Sequence, residues 1–418
     1  MSSARTQSEY PDWRKNFYTL WIAEVSAIIG FHAVQPFLPY YIQEFDVADL
    51  SEALVWAGRM GTAAGLAMAV SSPIWGSLAD RYGRKPMVVR SMLGGGLAVI
   101  LMAYVTTVEQ LLVTRIIQGA LAGTVTACLT LVSTSTPRQH LGFALGLMQG
   151  AFMLGSSLGP LIGGPLIDRY GYTDCFFWAG AVVIIAGVAV QLWVHEDFSR
   201  VRSVESSAKY RMPGKDMIRL LSERPFLILV LTVTSMSFAF GFIMPVLPLF
   251  LQQLAGRSDI LSLAGAVFAA GGLVGALSAA IMGRFSDHIG PRRMLVGGLL
   301  GASVFALAQG FSTSVPMLAT LIVLGGIATG ATRPVANSLI TRFVTEADRG
   351  KAFGVMSSSA ALGWAAGPMA GGYLGAEAGF RAVFVATSLL YLAVGAWAWF
   401  AMPGADSPIE APNRKSDP

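Results

Sequence analysis

Charged residues are scarce in this sequence: Asp, Glu, Lys and Arg make up 13% of its 418 residues, whereas hydrophobic residues make up 54%. A water-soluble chain of this length would find it hard to bury so much apolar surface. The composition therefore excludes an ordinary soluble fold, and lipid is the expected solvent for most of the chain.

Cysteine is also rare, with only Cys128 and Cys175, each inside or at the edge of an apolar stretch. Two such residues provide neither a disulfide framework nor metal-ligand spacing. The sequence also lacks a nucleophile beside a base, a phosphate-binding loop and a soluble domain of useful length. We therefore expect no enzyme, no metal and no cofactor. A membrane enzyme or sensor that does not transport is the least favoured interpretation.

Acidic and basic residues are nearly balanced, 24 against 29, which gives a net charge of +5. The basic residues cluster in alternate loops between apolar stretches, as the preference of Lys and Arg for the cytoplasmic side of a membrane predicts. Because this bias accounts for nearly all the excess charge, we expect no nucleic-acid partner. The pattern predicts an even number of spans and two cytoplasmic termini. With no cleavable signal peptide expected, it suits a multi-pass protein of the bacterial cytoplasmic membrane.

Apolar stretches of about twenty residues recur along the chain, each long enough to cross a hydrocarbon core of roughly 30 Å as a helix. None shows the alternation of a membrane barrel, and lipid satisfies no free backbone group. The sequence therefore predicts an all-α membrane protein with twelve transmembrane helices. We place them at 17–41, 54–79, 86–106, 108–133, 141–167, 174–195, 226–252, 260–284, 293–312, 315–340, 352–375 and 380–402.

The chain also repeats itself. A long polar stretch separates six predicted spans from six, which predicts an N-terminal six-helix bundle at 1–195, a cytoplasmic linker at 196–224 and a C-terminal six-helix bundle at 225–418. Glycines and a proline of the fifth span recur 208 residues later in the eleventh. A duplicated unit of this kind is expected of transporters that rock one half against the other.

The repeated fifth-span pattern consists of Gly146, Gly155, Gly159, Pro160, Gly163 and Gly164. Three of these glycines are spaced four residues apart, so they form a smooth stripe where another helix can approach closely. The proline removes one hydrogen bond and should kink the span. Ordinary small-residue packing is the alternative, but the full spacing occurs twice.

A second pattern follows the second span and is echoed after the eighth; its members are Gly76, Asp80, Gly83, Arg84, Asp287 and Arg292. Asp80 lies at a helix C-terminus, where the helix dipole disfavours an anion, so it should have a partner. The candidates are Arg84 and the N-terminus of the eleventh span. The alternative is a plain loop turn with solvated basic residues.

These patterns resemble known signatures. The segment Gly76 to Pro86 resembles the loop signature of the major facilitator superfamily, and Arg115 to Gly119 resembles its second signature. The fifth-span pattern resembles the signature of the drug:proton antiporter branch, and the chain looks most like bacterial multidrug-efflux proteins with twelve spans. The resemblance implies two pseudo-symmetric bundles and antiport. It also implies an Asp80 contact that ties the halves together in one conformation and releases in the other.

Charges inside spans are the candidates for proton coupling, because each costs roughly 2.5–3.5 kcal/mol on insertion scales. Glu24, Arg115 and Arg333 lie deep in their predicted spans. We expect Glu24 to gain and lose a proton, with either arginine stabilising its charged form; a static ion pair is the alternative. The efflux proteins that the chain resembles are usually apolar at the positions of Glu24 and Arg333, so this role rests on burial cost. His32 is either a further titrating group or a packed side chain.

Apolar side chains offer a candidate substrate cavity. Glu24 and Gln35 are about three helical turns apart, and the resemblance implies that their shared face borders a central cavity. The candidate cavity residues are Phe31, Gln35, Phe240, Met244 and Trp364. Such a wall suits many amphiphiles, although each residue taken singly fits helix packing. We expect a monomer in the lipid bilayer that exchanges protons for small amphiphilic molecules; export or import of one metabolite is the alternative.

Overall fold

The computed structural model describes residues 13–47, 49–196, 220–256, 260–330, 332–344 and 348–402. Within these ranges the regular structure is helical, with no strand. The long helices are Trp13–Val34, Leu50–Tyr82, Arg84–Leu101, Val108–Leu121, Thr124–Ser135, Arg138–Trp193, Arg224–Ile243, Val246–Ala255, Leu261–Ile289, Pro291–Gly310, Val315–Gly330, Thr332–Phe343, Arg349–Ala378 and Phe380–Ala401.

These helices make twelve crossings. Ten stretches in the described chain are long and apolar enough to span a membrane, and one of them, Gln139–Trp193, is 55 residues long and crosses twice. Its turning point is Gly171, whose φ of +85° lies in the left-handed region that favours glycine. The glycine-rich helix Arg349–Ala378 supplies the remaining crossing, the eleventh span. The twelve-helix prediction is thus confirmed.

Span ends differ from the prediction where polar residues continue a helix. The second span runs from Leu50 to Tyr82, longer than 54–79 at both ends. Its start is fixed by Asp49, whose carboxylate accepts a hydrogen bond of 3.0 Å from the backbone N–H of Ser51. Its end is fixed by Gly83, with φ of +101°. Capping groups, rather than hydrophobicity, therefore set these boundaries.

The fourth span is interrupted, although it was predicted as a continuous helix. Ala122 is extended and Gly123 has φ of +119°, so one helix stops at Leu121 and the next starts at Thr124. A glycine in a membrane span fits close packing as well as a break, which is why the sequence pattern did not reveal the interruption.

The two halves pack through equivalent glycines. A Cβ on Gly265 of the eighth span would overlap the carbonyl of Pro160 in the fifth, and a Cβ on Gly58 of the second span would overlap the carbonyl of Pro368 in the eleventh. Pro368 lies 208 residues after Pro160. The sequence repeat therefore corresponds to two related seams between the halves.

The apolar cores show where the halves meet. We call the side on which the second and sixth spans end the linker side, and the opposite side the far side. On the far side one buried cluster combines residues of both halves, such as Phe37 and Leu54 with Leu249 and Phe384. Toward the linker side each half has a separate cluster, one within residues 17–194 and the other within 220–402. The halves are thus joined on the far side and separate on the linker side.

Candidate transport pathway

Polar contacts close the far side between the first and seventh spans. The Tyr40 hydroxyl donates a 2.6 Å hydrogen bond to the carbonyl of Pro248. The side-chain amides of Gln43 and Gln252 exchange two hydrogen bonds, of 3.0 and 3.2 Å. The paired residues stand 208 and 209 positions apart in the chain. The contacts therefore follow the axis that relates the two halves.

Two further far-side contacts join other spans across the halves. Arg59 of the second span donates hydrogen bonds of 3.2 and 3.0 Å to the hydroxyl of Tyr373 in the eleventh. Asp168, near the end of the fifth span, accepts hydrogen bonds from the backbone N–H and the hydroxyl of Ser262, the first of them 2.8 Å long. Ser262 is the second residue of the eighth-span helix, where an anion is favoured by the helix dipole.

The linker side has no comparable closure at the residues that the sequence singled out. A Cβ on Gly76 or on Gly146 would meet no atom within 4 Å. Asp80 is exposed, and among the described residues it forms no ion pair. The predicted contact of Asp80 with the eleventh span is therefore not made in this conformation.

Other members of the loop pattern have structural roles. The backbone N–H groups of Arg84 and Lys85 each donate a 2.8 Å hydrogen bond to the carboxylate of Glu196, which caps the third span. Arg292 stacks on the Trp399 ring of the twelfth span, 4.8 Å from its centroid, and donates to the Trp399 carbonyl. The side chain of Asp287 lies outside the described residues.

The fifth-span pattern packs against two neighbouring spans. Added Cβ atoms on Gly155, Gly159 and Gly163 would overlap Ile28, His32 and Ala33 of the first span, respectively. One on Gly164 would overlap the carbonyl of Leu261 in the eighth span. The four-residue spacing thus forms the close helix contact that it predicts, and the pattern lies at a seam between the halves.

Glu24 is completely buried, and neither of its carboxylate oxygens has a hydrogen-bond partner among the described residues. It lies between Ala23 and Ala27, which belong to the apolar core of the first half. It shares a helix face with Phe31, seven residues on, whose ring packs on Gly95 of the third span. Glu24 therefore faces the interior of its bundle. This differs from the expected cavity face. The α-helix also ends at Val34 and Gln35 lies in a 3₁₀ turn, so Glu24 and Gln35 do not share one regular helix.

The two arginines proposed as partners of Glu24 do not reach it. Arg115 is 7% exposed and donates a hydrogen bond to the Gln118 side chain, while its Nε has no partner among the described residues. The side chain of Arg333 is exposed. Within the described chain neither forms an ion pair with Glu24. Glu24, Arg115 and Arg333 are therefore separate in this conformation, and the described chain shows no ion pair among them.

His32 is a packed side chain in this conformation. Its Nδ1 lies 3.1 Å from the carbonyl of Ile28, one turn earlier, and its ring meets the Phe152 ring edge-on at 5.9 Å. A Cβ on Gly159 of the fifth span would overlap it. His32 therefore lies in the contact between the first and fifth spans, about two turns from Glu24.

The candidate cavity residues are spread over several environments. The Gln35 amide donates to the Met244 sulfur at 4.0 Å, at the crossing of the first and seventh spans. Phe240 is 65% exposed. Trp364 packs near Gly65, between the eleventh and second spans. Within this set, the described side-chain contact is the one between Gln35 and Met244.

Arg90 and Trp75 form a polar contact that was not expected from the sequence. The Arg90 guanidinium lies 3.7 Å from the centroid of the Trp75 ring and donates hydrogen bonds to the carbonyls of Leu121 and Ala122. The Trp75 ring nitrogen donates to the carbonyl of Ala120 at 2.7 Å. An arginine six residues into an apolar span was a detectable signal, since such charges are costly.

Comparison with known proteins identifies the family. The profile of the Major Facilitator Superfamily matches residues 20–281 and 260–417. A protein called multidrug resistance protein MdtG from Escherichia fergusonii is 33% identical over 391 residues, covering 93% of this chain and 94% of the relative. The protein of the same name from Yersinia enterocolitica is 34% identical over 386 residues, covering 91% of each.

Solved structures show the same fold. A bacterial homologue of the human lysosomal transporter Spinster, in an inward-facing and unoccupied conformation, matches with a TM-score of 0.75 and 17% identity, covering 94% of this chain and 97% of that one. The nucleoside transporter NupG matches with a TM-score of 0.74 and 15% identity, covering 92% and 98%. The profile, the relatives and the fold together show that the chain belongs to the Major Facilitator Superfamily and is a secondary transporter rather than an enzyme.

Proposed function

We propose that this transporter exports small amphiphilic molecules in exchange for protons, as a monomer in the bacterial cytoplasmic membrane. The relatives named multidrug resistance protein support the substrate class and the direction. Proton coupling is supported by one observation: Glu24 is a carboxylate buried in an apolar bundle, with no hydrogen-bond partner among the described residues.

The environment of Glu24 favours its neutral form. A buried ionised carboxylate is costly unless it is paired, and in practice such a group takes up a proton instead. In the linker-side-open conformation Glu24 is therefore protonated. Its release of the proton requires water or a cation to reach the carboxylate, and hence a change in packing of the first half. This requirement couples proton release to the conformational cycle.

Arg115 is the cation best placed to take part in that change. It is buried in the same half, and its Nε has no hydrogen-bond partner among the described residues. Its guanidinium can therefore donate to a second acceptor while it keeps the hydrogen bond to Gln118. Arg333 lies in the other half and is exposed. In the proposed cycle Arg115 approaches Glu24 or the substrate when the first half repacks, and Arg333 contributes to the field of the pathway.

The cycle proceeds by alternating access between the halves 1–195 and 225–418. The basic loops support a cytoplasmic linker side, so the structure corresponds to the form open to the cytoplasm. Opening to the outside requires the far-side contacts of Gln43, Arg59 and Asp168 to separate. Closing the linker side brings Asp80 to the N-terminus of the eleventh span.

The proposal is tested by efflux of a lipophilic cationic dye from proteoliposomes with an imposed pH gradient. Glu24→Gln should abolish gradient-driven efflux, since an amide carries no exchangeable charge. The control is Glu109→Gln, which removes an exposed carboxylate at the far-side end of the fourth span and should transport normally. Unchanged efflux in Glu24→Gln would move coupling to Asp80 or His32. No dye efflux by the wild type, with transport of one metabolite, would establish the narrower alternative.

A further inference from the structure

The interruption of the fourth span creates a polar defect inside the membrane. The last carbonyls of a helix lack intrahelical partners, and here the helix Val108–Leu121 stops in the middle of a span. Ala122 is extended and Gly123 is left-handed, so the second helix cannot supply the missing N–H groups. Lipid cannot satisfy these carbonyls either. Groups from other spans must do so.

Two side chains from two other spans fill this need. The Trp75 ring nitrogen, from the second span, donates to the Ala120 carbonyl at 2.7 Å. Arg90, from the third span, donates to the carbonyls of Leu121 and Ala122 at 3.1 and 3.4 Å. The guanidinium also stacks on the Trp75 ring, where a cation is attracted to the π-face. Its charge lies at a helix C-terminus, which the helix dipole favours.

The clamp formed by Arg90 and Trp75 has no counterpart of Arg90 in the second half of the molecule. The offset of 207 residues that relates Gly83 to Gly290, at the starts of the third and ninth spans, places Gly297 at the position of Arg90, and a Cβ there would meet no atom within 4 Å. The clamp is specific to the half that contains Glu24 and Arg115.

We propose that Arg90 and Trp75 are positioning residues for transport: together they hold the break of the fourth span, and through it the segment that carries Arg115 and Gln118. The carbonyls that they bind lie two to four residues beyond Gln118, so a shift at the break moves that segment directly. Gly119 in the same segment packs on Ala64 of the second span. The second span is therefore joined to the fourth both by Trp75 and by this close contact. This role does not depend on which ion or substrate is transported.

The transport test measures dye efflux from proteoliposomes that contain one of three variants: Arg90→Met, Arg90→Lys or Trp75→Phe. Loss of hydrogen bonds to a charged donor should lower transport about tenfold in Arg90→Met. Arg90→Lys keeps a cation and donors at the helix end and should restore most of the activity. The control is Arg14→Met, which removes an exposed arginine 5.5 Å from the ring of Trp13 and should transport like the wild type.

The structural test uses the two native cysteines, both fully buried. Cys128 lies in the helix just after the break, and Cys175 lies in the sixth span. Arg90→Met and Trp75→Phe should raise maleimide labelling of Cys128 severalfold and leave Cys175 protected, with Arg90→Lys near the wild type. Equal labelling of both cysteines would show a general loss of folding and overturn the proposal. Wild-type transport and wild-type protection in Arg90→Met would also overturn it. The labelling of Cys128 and Cys175 requires no proton gradient, so this test is independent of the proposed proton coupling.

Discussion

Arg90 is half-buried and Glu24 fully buried in the same half, but of the two only Arg90 has described hydrogen-bond partners. Arg90 donates to two carbonyls and stacks on an indole, so its charge is compensated in place. Glu24 has no described partner for either oxygen. A compensated charge stabilises the surrounding helices, whereas an uncompensated buried carboxyl group lowers the stability of the fold. The two residues therefore predict opposite effects of substitution on stability.

Replacing Glu24 with leucine should leave the protein at least as stable as the wild type. Removing an unpaired buried polar group avoids a desolvation cost of about 1–3 kcal/mol. The melting temperature in detergent, followed by intrinsic fluorescence, measures the effect. The comparison variant is Asn16→Leu, which loses two hydrogen bonds to the His195 backbone and should melt lower. A lower melting temperature for Glu24→Leu would reveal a stabilising partner of the carboxylate.

At the scale of helices, the fifth-span pattern combines two kinds of glycine. Gly155, Gly159 and Gly163 are in close contact with the first span, while Gly146, nearer the linker side, meets nothing within 4 Å. Small residues let helix backbones approach, which is a main source of helix association in lipid. An uncrowded glycine in the same pattern has no such role in the present conformation.

Alanine at these two kinds of position should give different results. In Gly163→Ala the new methyl group overlaps the Ala33 backbone, and overpacking of this kind costs about 1–3 kcal/mol. In Gly146→Ala the methyl group has space, and the helix gains up to about 1 kcal/mol from the loss of glycine. Thermal unfolding in detergent should therefore show a lower midpoint for the first variant only. Equal midpoints would contradict the close packing of the first and fifth spans.

Most of the helical architecture could be predicted from the sequence, because lipid leaves a twenty-residue apolar stretch few alternatives to a helix. The twelve crossings and the Gly163 contact were accessible in this way. The break at Gly123 was not, since hydrophobicity does not change there. Glu24 was recognised as a charge at depth, but its direction was inferred from regular helix geometry that ends at Val34. The far-side partners Asp168 and Ser262 come from different halves, and no local pattern joins them.

At the scale of the whole molecule, the asymmetry between the two sides defines the conformation. The far side holds the shared apolar core and four sets of hydrogen bonds between the halves. The linker side has separate cores, and Asp80 has no described ion pair there. A two-state transporter changes its resting population when a contact present in only one state is removed. The location of each contact therefore predicts the direction of the shift.

Removing far-side contacts should favour the state that is open on the far side. Asp168→Asn weakens the cap of the eighth-span helix, and Gln252→Leu removes the amide pair with Gln43; each loses roughly 1 kcal/mol of contact energy, about a fivefold change in population. Spin labels at Glu52 and Glu377, both exposed near the far side, should report a larger fraction of long distances. Asp80→Asn should not increase the fraction of long distances and should lower any that the wild type has, because the proposed Asp80 contact belongs to the other state. If it increased that fraction as well, Asp80 would already be stabilising the present conformation.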